Sequence, residues 1–289
     1  MLNLLVSWPY LGNDILKLVA DHAEHIQLLV DSGAFTNWKK GVDTDVRDYI
    51  AFIQCLPVRP WRFFTLDRIG DPDVTARNLK TMLDAGLEPV PVFTRGSPVS
   101  TLEDLYRVSD LVGIGVGVGT PGYLGYIRWI TEQIRGRPAH WLGVTTPALV
   151  AYYRPYSCDC SNWETGARYG SISLYLGRGR TVMYTRKKAA RMRPSVRMWR
   201  AIQAWGFSPA DLQKESAWRG GRSIIRKLGA ASWVRYSLEA EAQFGTRVFL
   251  AATTAMACEL LLDAYLQAKG ITCKDCSYHL AVSTPSPGS

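Results

Sequence analysis

The chain has 289 residues, of which 47% are hydrophobic and 20% charged, and a formal net charge of +9. That length accommodates one large domain of α/β-barrel size or two ordinary ones, and the composition excludes a disordered or fibrous protein. No apolar run reaches the roughly 18 residues of a membrane span. The N-terminus MLNLLVSWPY carries neither a basic stretch nor a cleavage site, and six Cys without framework spacing suit a reducing compartment, so the expectation is a soluble, cytoplasmic protein.

In chain order, strands are predicted at Leu2–Ser7, Ile26–Val30, Arg62–Leu66, Pro89–Phe93, Leu111–Val116, His140–Val144 and Ser171–Leu176. Between them lie stretches with helical spacing of apolar residues. Asp45–Leu56 places Val46, Tyr49, Ile50 and Ile53 on one face, and Asp73–Ala85 follows Asp71-Pro72. Thr101–Val108 opens on a capping pattern of Thr101 and Asp104, and Gly122–Arg135 is a further helix. Strands alternating with helices imply a parallel sheet, flat or closed. After about Thr185 the pattern turns helical. Lys187–Trp205 is one candidate, Ser208-Pro209 starts another, and Val248–Ala268 reads as one long apolar helix. The organisation expected is a core over residues 1–185, a basic helical region over 186–283 packed on that core, and a disordered tail over 284–289.

The charge is concentrated. Between Arg186 and Tyr236 thirteen basic residues face only Asp211 and Glu215, a net +11, so the rest of the chain sums to −2. A near-neutral body with one basic segment is the pattern of a polyanion-binding module. Candidate DNA contacts are Arg186, Lys187, Lys188, Arg191, Arg193, Arg197, Arg200, Arg219, Arg222, Arg226 and Lys227, with Arg168 ahead of them. The interleaved Trp199, Trp205, Trp218 and Trp233 suit stacking on unpaired bases; the alternative is a solvated basic helical face with its Trp residues in the core.

The strand ends carry the chemistry. Ile26–Val30 runs into Asp31-Ser32-Gly33-Ala34-Phe35, Arg62–Leu66 into Asp67-Arg68, Pro89–Phe93 into Thr94-Arg95-Gly96, and Leu111–Val116 into Gly117-Val118-Gly119. His140–Val144 runs into Thr145-Thr146-Pro147, and a last segment reads Tyr156-Ser157-Cys158-Asp159-Cys160. In a β/α barrel these points share one rim, where Asp31, Asp67 and Asp159 would converge. Gly117-x-Gly119-x-x-Gly122 matches a dinucleotide fingerprint only in spacing, because Pro121 interrupts it and no acidic residue stands about 20 positions on.

Taken together, these blocks resemble the tRNA-guanine transglycosylase superfamily, and most closely its DNA-directed branch of phage and bacterial enzymes. Asp31-Ser32-Gly33-Ala34-Phe35 is similar to the family's D-S-G-G-[FY], and Gly115-Val116-Gly117-Val118-Gly119 to G-L-A-V-G. Trp141-Leu142-Gly143-Val144-Thr145-Thr146-Pro147 is similar to Y-L-M-G-V-G-T-P with one residue missing, and Cys158-Asp159-Cys160, then Gly166-Ala167-Arg168-Tyr169-Gly170, to F-D-C and N-A-R-N-G. The resemblance implies a (β/α)8 TIM-like barrel with a basic, mainly helical C-terminal region. It implies Asp159 as nucleophile, Asp31 as general acid/base, and a base pocket of Ser32, Gly33, Phe35, Asp67, Arg95, Gly115, Val116, Gly117, Gly143 and Val144.

The implied reaction exchanges guanine in DNA for a free 7-deazaguanine, such as 7-cyano-7-deazaguanine, through a covalent Asp159–deoxyribose intermediate. It needs no cofactor, and in a phage it would shield DNA from restriction. A family Gln is Thr36 here, and a second is replaced by Thr94 or Arg95, which leaves the incoming base open. The tRNA enzymes' C-x-C-x2-C…H zinc site is missing; Cys273, Cys276 and His279 could share a zinc, without an evident fourth ligand. The alternatives are a tRNA-guanine transglycosylase, a DNA glycosylase and a non-catalytic DNA-binding barrel.

Overall fold

The computed structural model describes residues 1–117, 120–144, 146–164, 169–189, 191 and 194–271. Eight parallel strands form its centre. Seven come in chain order: β1 (Leu2–Ser7), β2 (Ile26–Asp31), β3 (Arg62–Phe63), β4 (Val92–Phe93), β5 (Val112–Gly115), β6 (Ala139–Leu142) and β7 (Ser157–Cys160). An antiparallel hairpin of β8 (Ser171–Tyr175) and β9 (Thr181–Thr185) stands apart, and the eighth barrel strand is β10 (Arg247–Ala252), inserted between β7 and β1. The ring closes between β3 and β4 through a parallel bridge of Phe64 with Val90, where Thr65 N–H donates to the Val90 carbonyl at 2.9 Å and Val90 N–H to the Phe63 carbonyl at 2.8 Å. The molecule is an α/β protein with a (β/α)8 barrel-like fold, as the sequence led one to expect.

Strand side chains alternate between two apolar layers. One alternate set, Leu5, Leu29, Phe64, Val90, Val92, Leu111 and Phe249, fills the barrel. Gly113 on β5 leaves room for Phe64, whose ring would lie 3.0 Å from a Cβ there. The other set, including Leu4, Val6, Leu28, Val30, Ile114 and Cys158, packs outward against the helices. These are α1 (Asn13–Asp21), α2 (Ala34–Lys40), α3 (Val46–Gln54), α4 (Pro72–Asp84), α5 (Val99–Val108), α6 (Tyr123–Ile134) and α7 (Pro147–Tyr153). After the hairpin come α8 (Arg186–Ala189), α9 (Val196–Ala204), α10 (Ile224–Phe244) and α11 (Ala255–Lys269). Asp45 and Asp71 cap α3 and α4 by accepting backbone N–H bonds from Arg47 and Val74.

Several expectations need correction. Val248–Ala268 is not one helix: its first residues are β10, and α11 begins after Thr254, whose side chain accepts the Ala257 N–H. The barrel therefore draws a strand from beyond residue 185, and the expected division at 185/186 does not separate a complete core from an appendage. Ser171–Leu176 forms a strand, but in the hairpin outside the barrel. Thr101 lies inside α5, whose N-cap is Pro98, because Val99 and Ser100 already adopt helical geometry. Ser208-Pro209 opens a short 3-10 turn, Pro209–Gln213, with no side-chain cap.

The hairpin, α10 and β10 interlock. Tyr175 N–H donates to Ser232 Oγ at 2.7 Å, and Trp233 Nε1 to the Ser173 carbonyl at 2.7 Å. At Gly229 helix α10 meets the turn Asn162–Glu164 so closely that a Cβ would stand 2.2 Å from the Trp163 carbonyl oxygen. Residues on every side of α10 are buried, including Leu228, Ala231, Trp233 and Tyr236. None of the helices among the described residues is long and apolar enough to cross a membrane.

Candidate active site

Asp31 ends β2 on the face directed at the barrel axis, register-paired with Ser7 at the end of β1. Ser7 Oγ donates to Asp31 Oδ2 at 2.7 Å, and Gly33 N–H donates to the same oxygen at 3.0 Å. Gly33 can present that N–H because its φ is +76°; a Cβ there would lie 2.4 Å from Pro9 Cδ. Burial raises the Asp31 carboxyl above its ordinary value, against the two hydrogen bonds, and the charge of Asp159 adds to the rise. Asp67, just past β3, accepts from the buried Ser32 hydroxyl at 3.0 Å. Its pKa is raised to about 7, first by burial and then by the charge of Asp31. Asp159 also acts electrostatically on Asp31, so the three carboxylates separated in sequence form one electrostatic cluster.

Asp159 points inward from β7, while its neighbours Cys158 and Cys160 face the outer layer. Burial pushes both thiols upward, which suits packing and not nucleophilic or metal chemistry. Asp159 Oδ1 takes two contacts: Gly143 N–H donates to it at 2.8 Å, and His140 Nε2 lies at 3.2 Å. Gly143 has φ +70°, the left-handed conformation that turns its N–H to Asp159. His140 is fully buried on β6, and its Nδ1 lies 2.9 Å from Ser157 Oγ on β7. Its ring sits between Phe64 and Phe249, with centroids at 5.0 and 6.0 Å. The sequence reading gave His140 and Ser157 no role. Alternation along the two strands, with both residues on the face that carries Asp159, was the signal that could have found them.

The other expected pocket residues are placed unevenly. Ser32, Gly33, Gly143 and Asp67 join the cluster through the bonds above. The side chains of Val116 and Val144 are buried in the outer layer, so only their backbone can meet a ligand at the rim. Gly115 ends β5, and Gly117 has φ +64° in the following loop. Arg95 is exposed; it donates to Thr120 Oγ1 at 3.1 Å and lies over the Tyr126 ring. Phe35 is exposed at the start of α2, stacked on Trp38 with Lys39 over its ring. Beside Asp67 opens a cleft of about 440 Å³, lined by Trp38, Thr44, Arg68 and Asn78 among others. It borders the cluster at Asp67 but does not include Asp31 or Asp159.

The basic segment is partly neutralised. Arg186 and Arg219 share Glu215, and Arg222 pairs with Glu259. Lys187, Lys188, Arg191, Arg197 and Arg200 are exposed, whereas Arg226 and Lys227 are half-buried on the first turn of α10. Trp205, Trp218 and Trp233 are buried, with the indole N–H groups of Trp218 and Trp233 bonded to backbone carbonyls. These three are core residues and cannot stack on bases; Trp199 alone of the four is partly exposed. Arg168, Arg193, Cys273, Cys276 and His279 lie outside the described residues. Among the described residues, no group of three or more His, Cys, Asp or Glu side chains is arranged to hold a metal.

Comparison of the chain with protein-family models and with curated proteins gives no match.

Proposed function

We propose that this protein is a base-exchanging transglycosylase that replaces guanine in DNA with a free 7-deazaguanine. The observation that carries the reading is the pairing of two unlike carboxylates at one barrel rim. Asp31 is held up by burial, as a proton donor requires, while Asp159 takes a backbone N–H and a histidine nitrogen on one oxygen, an arrangement suited to a charged carboxylate. Asp159 attacks the sugar C1′, the glycosidic bond breaks, and the departing guanine takes its proton from Asp31. The incoming base then attacks C1′ through its ring nitrogen, gives its proton to Asp31 and frees Asp159. One glycosidic bond is exchanged for another, so the balance needs no redox partner or nucleotide energy.

Asp67, its carboxyl raised to about 7 by burial and the charge of Asp31, is placed to meet the polar edge of a base. A target guanine has to leave the duplex or be unpaired to reach the rim. The excursion between β7 and β10, with its exposed Lys187, Lys188 and Arg191, leaves from the rim end of β7 and supplies cations for the DNA backbone. The test is an exchange assay with guanine-containing duplex DNA and 7-cyano-7-deazaguanine, tRNA serving as the parallel acceptor. The modified deoxynucleoside should appear in the DNA digest, and Asp159→Asn and Asp31→Asn should each abolish it. Label in tRNA alone would transfer the chemistry to the other polymer, release of guanine without label would make the protein a glycosylase, and full activity in Asp159→Asn would remove the assignment.

A further inference from the structure

We propose that Ser157 and His140 form a buried positioning relay that fixes Asp159, making Oδ2 the oxygen that attacks the sugar. The proposal deepens the transglycosylase reading and rests on it for the reaction, although the geometry of the relay does not.

The argument is one of proton placement. Ser157 and His140 are both fully buried, out of contact with bulk solvent. Ser157 Oγ has one partner among the described residues, His140 Nδ1 at 2.9 Å. A buried hydroxyl proton needs an acceptor, and Nδ1 accepts only when it carries no hydrogen. The serine proton then goes to Nδ1, and the single ring hydrogen resides on Nε2, directed at Asp159 Oδ1 at 3.2 Å. This assignment satisfies the serine hydroxyl and both ring nitrogens. With the hydrogen on Nδ1, the serine proton would have no acceptor and Nε2 would face Asp159 Oδ1 as two acceptors in contact.

The relay is rigid as well as satisfied. Rings of Phe64 and Phe249 flank the imidazole, and His140 and Ser157 are direct register partners on neighbouring strands. Gly143 N–H adds the second donor on the same carboxylate oxygen. Among the described residues both contacts to the Asp159 carboxylate fall on Oδ1, which fixes its rotation and leaves Oδ2 for C1′. His140 and Ser157 touch neither base nor sugar in this arrangement; they are positioning residues.

Two readouts test the proposal. In the wild-type protein with ¹⁵N-labelled histidine, the His140 ring should show a bare Nδ1 and a protonated Nε2. Its Nε2 proton should shift upfield in Asp159→Ala, and the fixed tautomer should be lost in Ser157→Ala. A proton on Nδ1, or on both nitrogens, would overturn the relay. In the exchange assay, His140→Phe should lower kcat by about 100-fold, the scale of losing one preorganised donor, with KM for the free base unchanged. Ser157→Ala should lower kcat by about tenfold on the same terms. Undiminished kcat in a folded His140→Phe protein would also overturn the proposal. Absence of exchange in the wild-type protein would instead count against the transglycosylase reading, because the ring-nitrogen measurement needs no activity and decides the relay by itself.

Discussion

Replacing Asp67 by Asn should change how the protein's stability depends on pH. The substitution keeps the shape of the side chain and an oxygen able to accept the Ser32 hydroxyl, while removing the titration. In the folded protein Asp67 titrates at about 7 instead of 3.8. Between those values the folded state binds more protons at this site than the unfolded chain, so stability falls as pH rises through the window and levels off above it. The rise from 3.8 to about 7 corresponds to a ceiling of about 4 kcal/mol. Urea unfolding of both proteins at intervals from pH 4 to 8 gives the measurement. The gap between variant and wild type should widen in favour of Asn by up to about 4 kcal/mol across that range, most of it gained before pH 7. Two curves running parallel from pH 4 to 8 would mean that Asp67 ionises without penalty, and the electrostatic reading of the cluster would fail.

Three further outcomes are expected. Gly229→Ala should destabilise the fold by about 2–3 kcal/mol in urea unfolding, despite a helix-propensity gain of about 1 kcal/mol, because its Cβ meets the Trp163 carbonyl oxygen; a stabilised variant would refute the close contact of α10. Gly33→Ala should cost at least about 2 kcal/mol, from a left-handed φ and the contact with Pro9, and should slow exchange by displacing the N–H bonded to Asp31, so wild-type stability would contradict the loop geometry. Lys187→Ala combined with Lys188→Ala should reduce the slope of log K against log salt for duplex DNA by up to about 1.8; an unaltered slope would place the DNA elsewhere on the surface.

The parts of the fold that could be read from sequence were those in which one period prevailed. Helices α3 and α4 carry a helical period and a capping residue, strands β1 and β2 are short apolar runs ended by Ser7 and Asp31, and all four fall within a residue or two of expectation. The eighth strand was lost because Val248–Ala252 runs almost directly into an apolar helix, and apolarity on all sides erases the contrast on which periodicity depends. The same holds for α10, where burial on every face drew Trp233 into the core and removed it from the basic surface. In the site, Asp31, Asp67 and Asp159 were legible because a charged residue at a strand end breaks the local pattern. His140 was not: a single imidazole within a strand carries no signal until its neighbour strand is known, and Ser157 lies 17 positions away.

The placement of β10 between β1 and β7 also constrains how the chain can acquire its structure. During synthesis the first seven strands emerge before residue 161, yet β1 and β7 keep open hydrogen-bonding edges until residues 247–252 leave the ribosome. A nascent sheet with two unpaired edges is a template for pairing with other chains. Residues 161–246 prolong that interval, and any chain interrupted within them would hold an open sheet in place of a barrel. Closure is therefore a late, long-range event joining the first strand to the last.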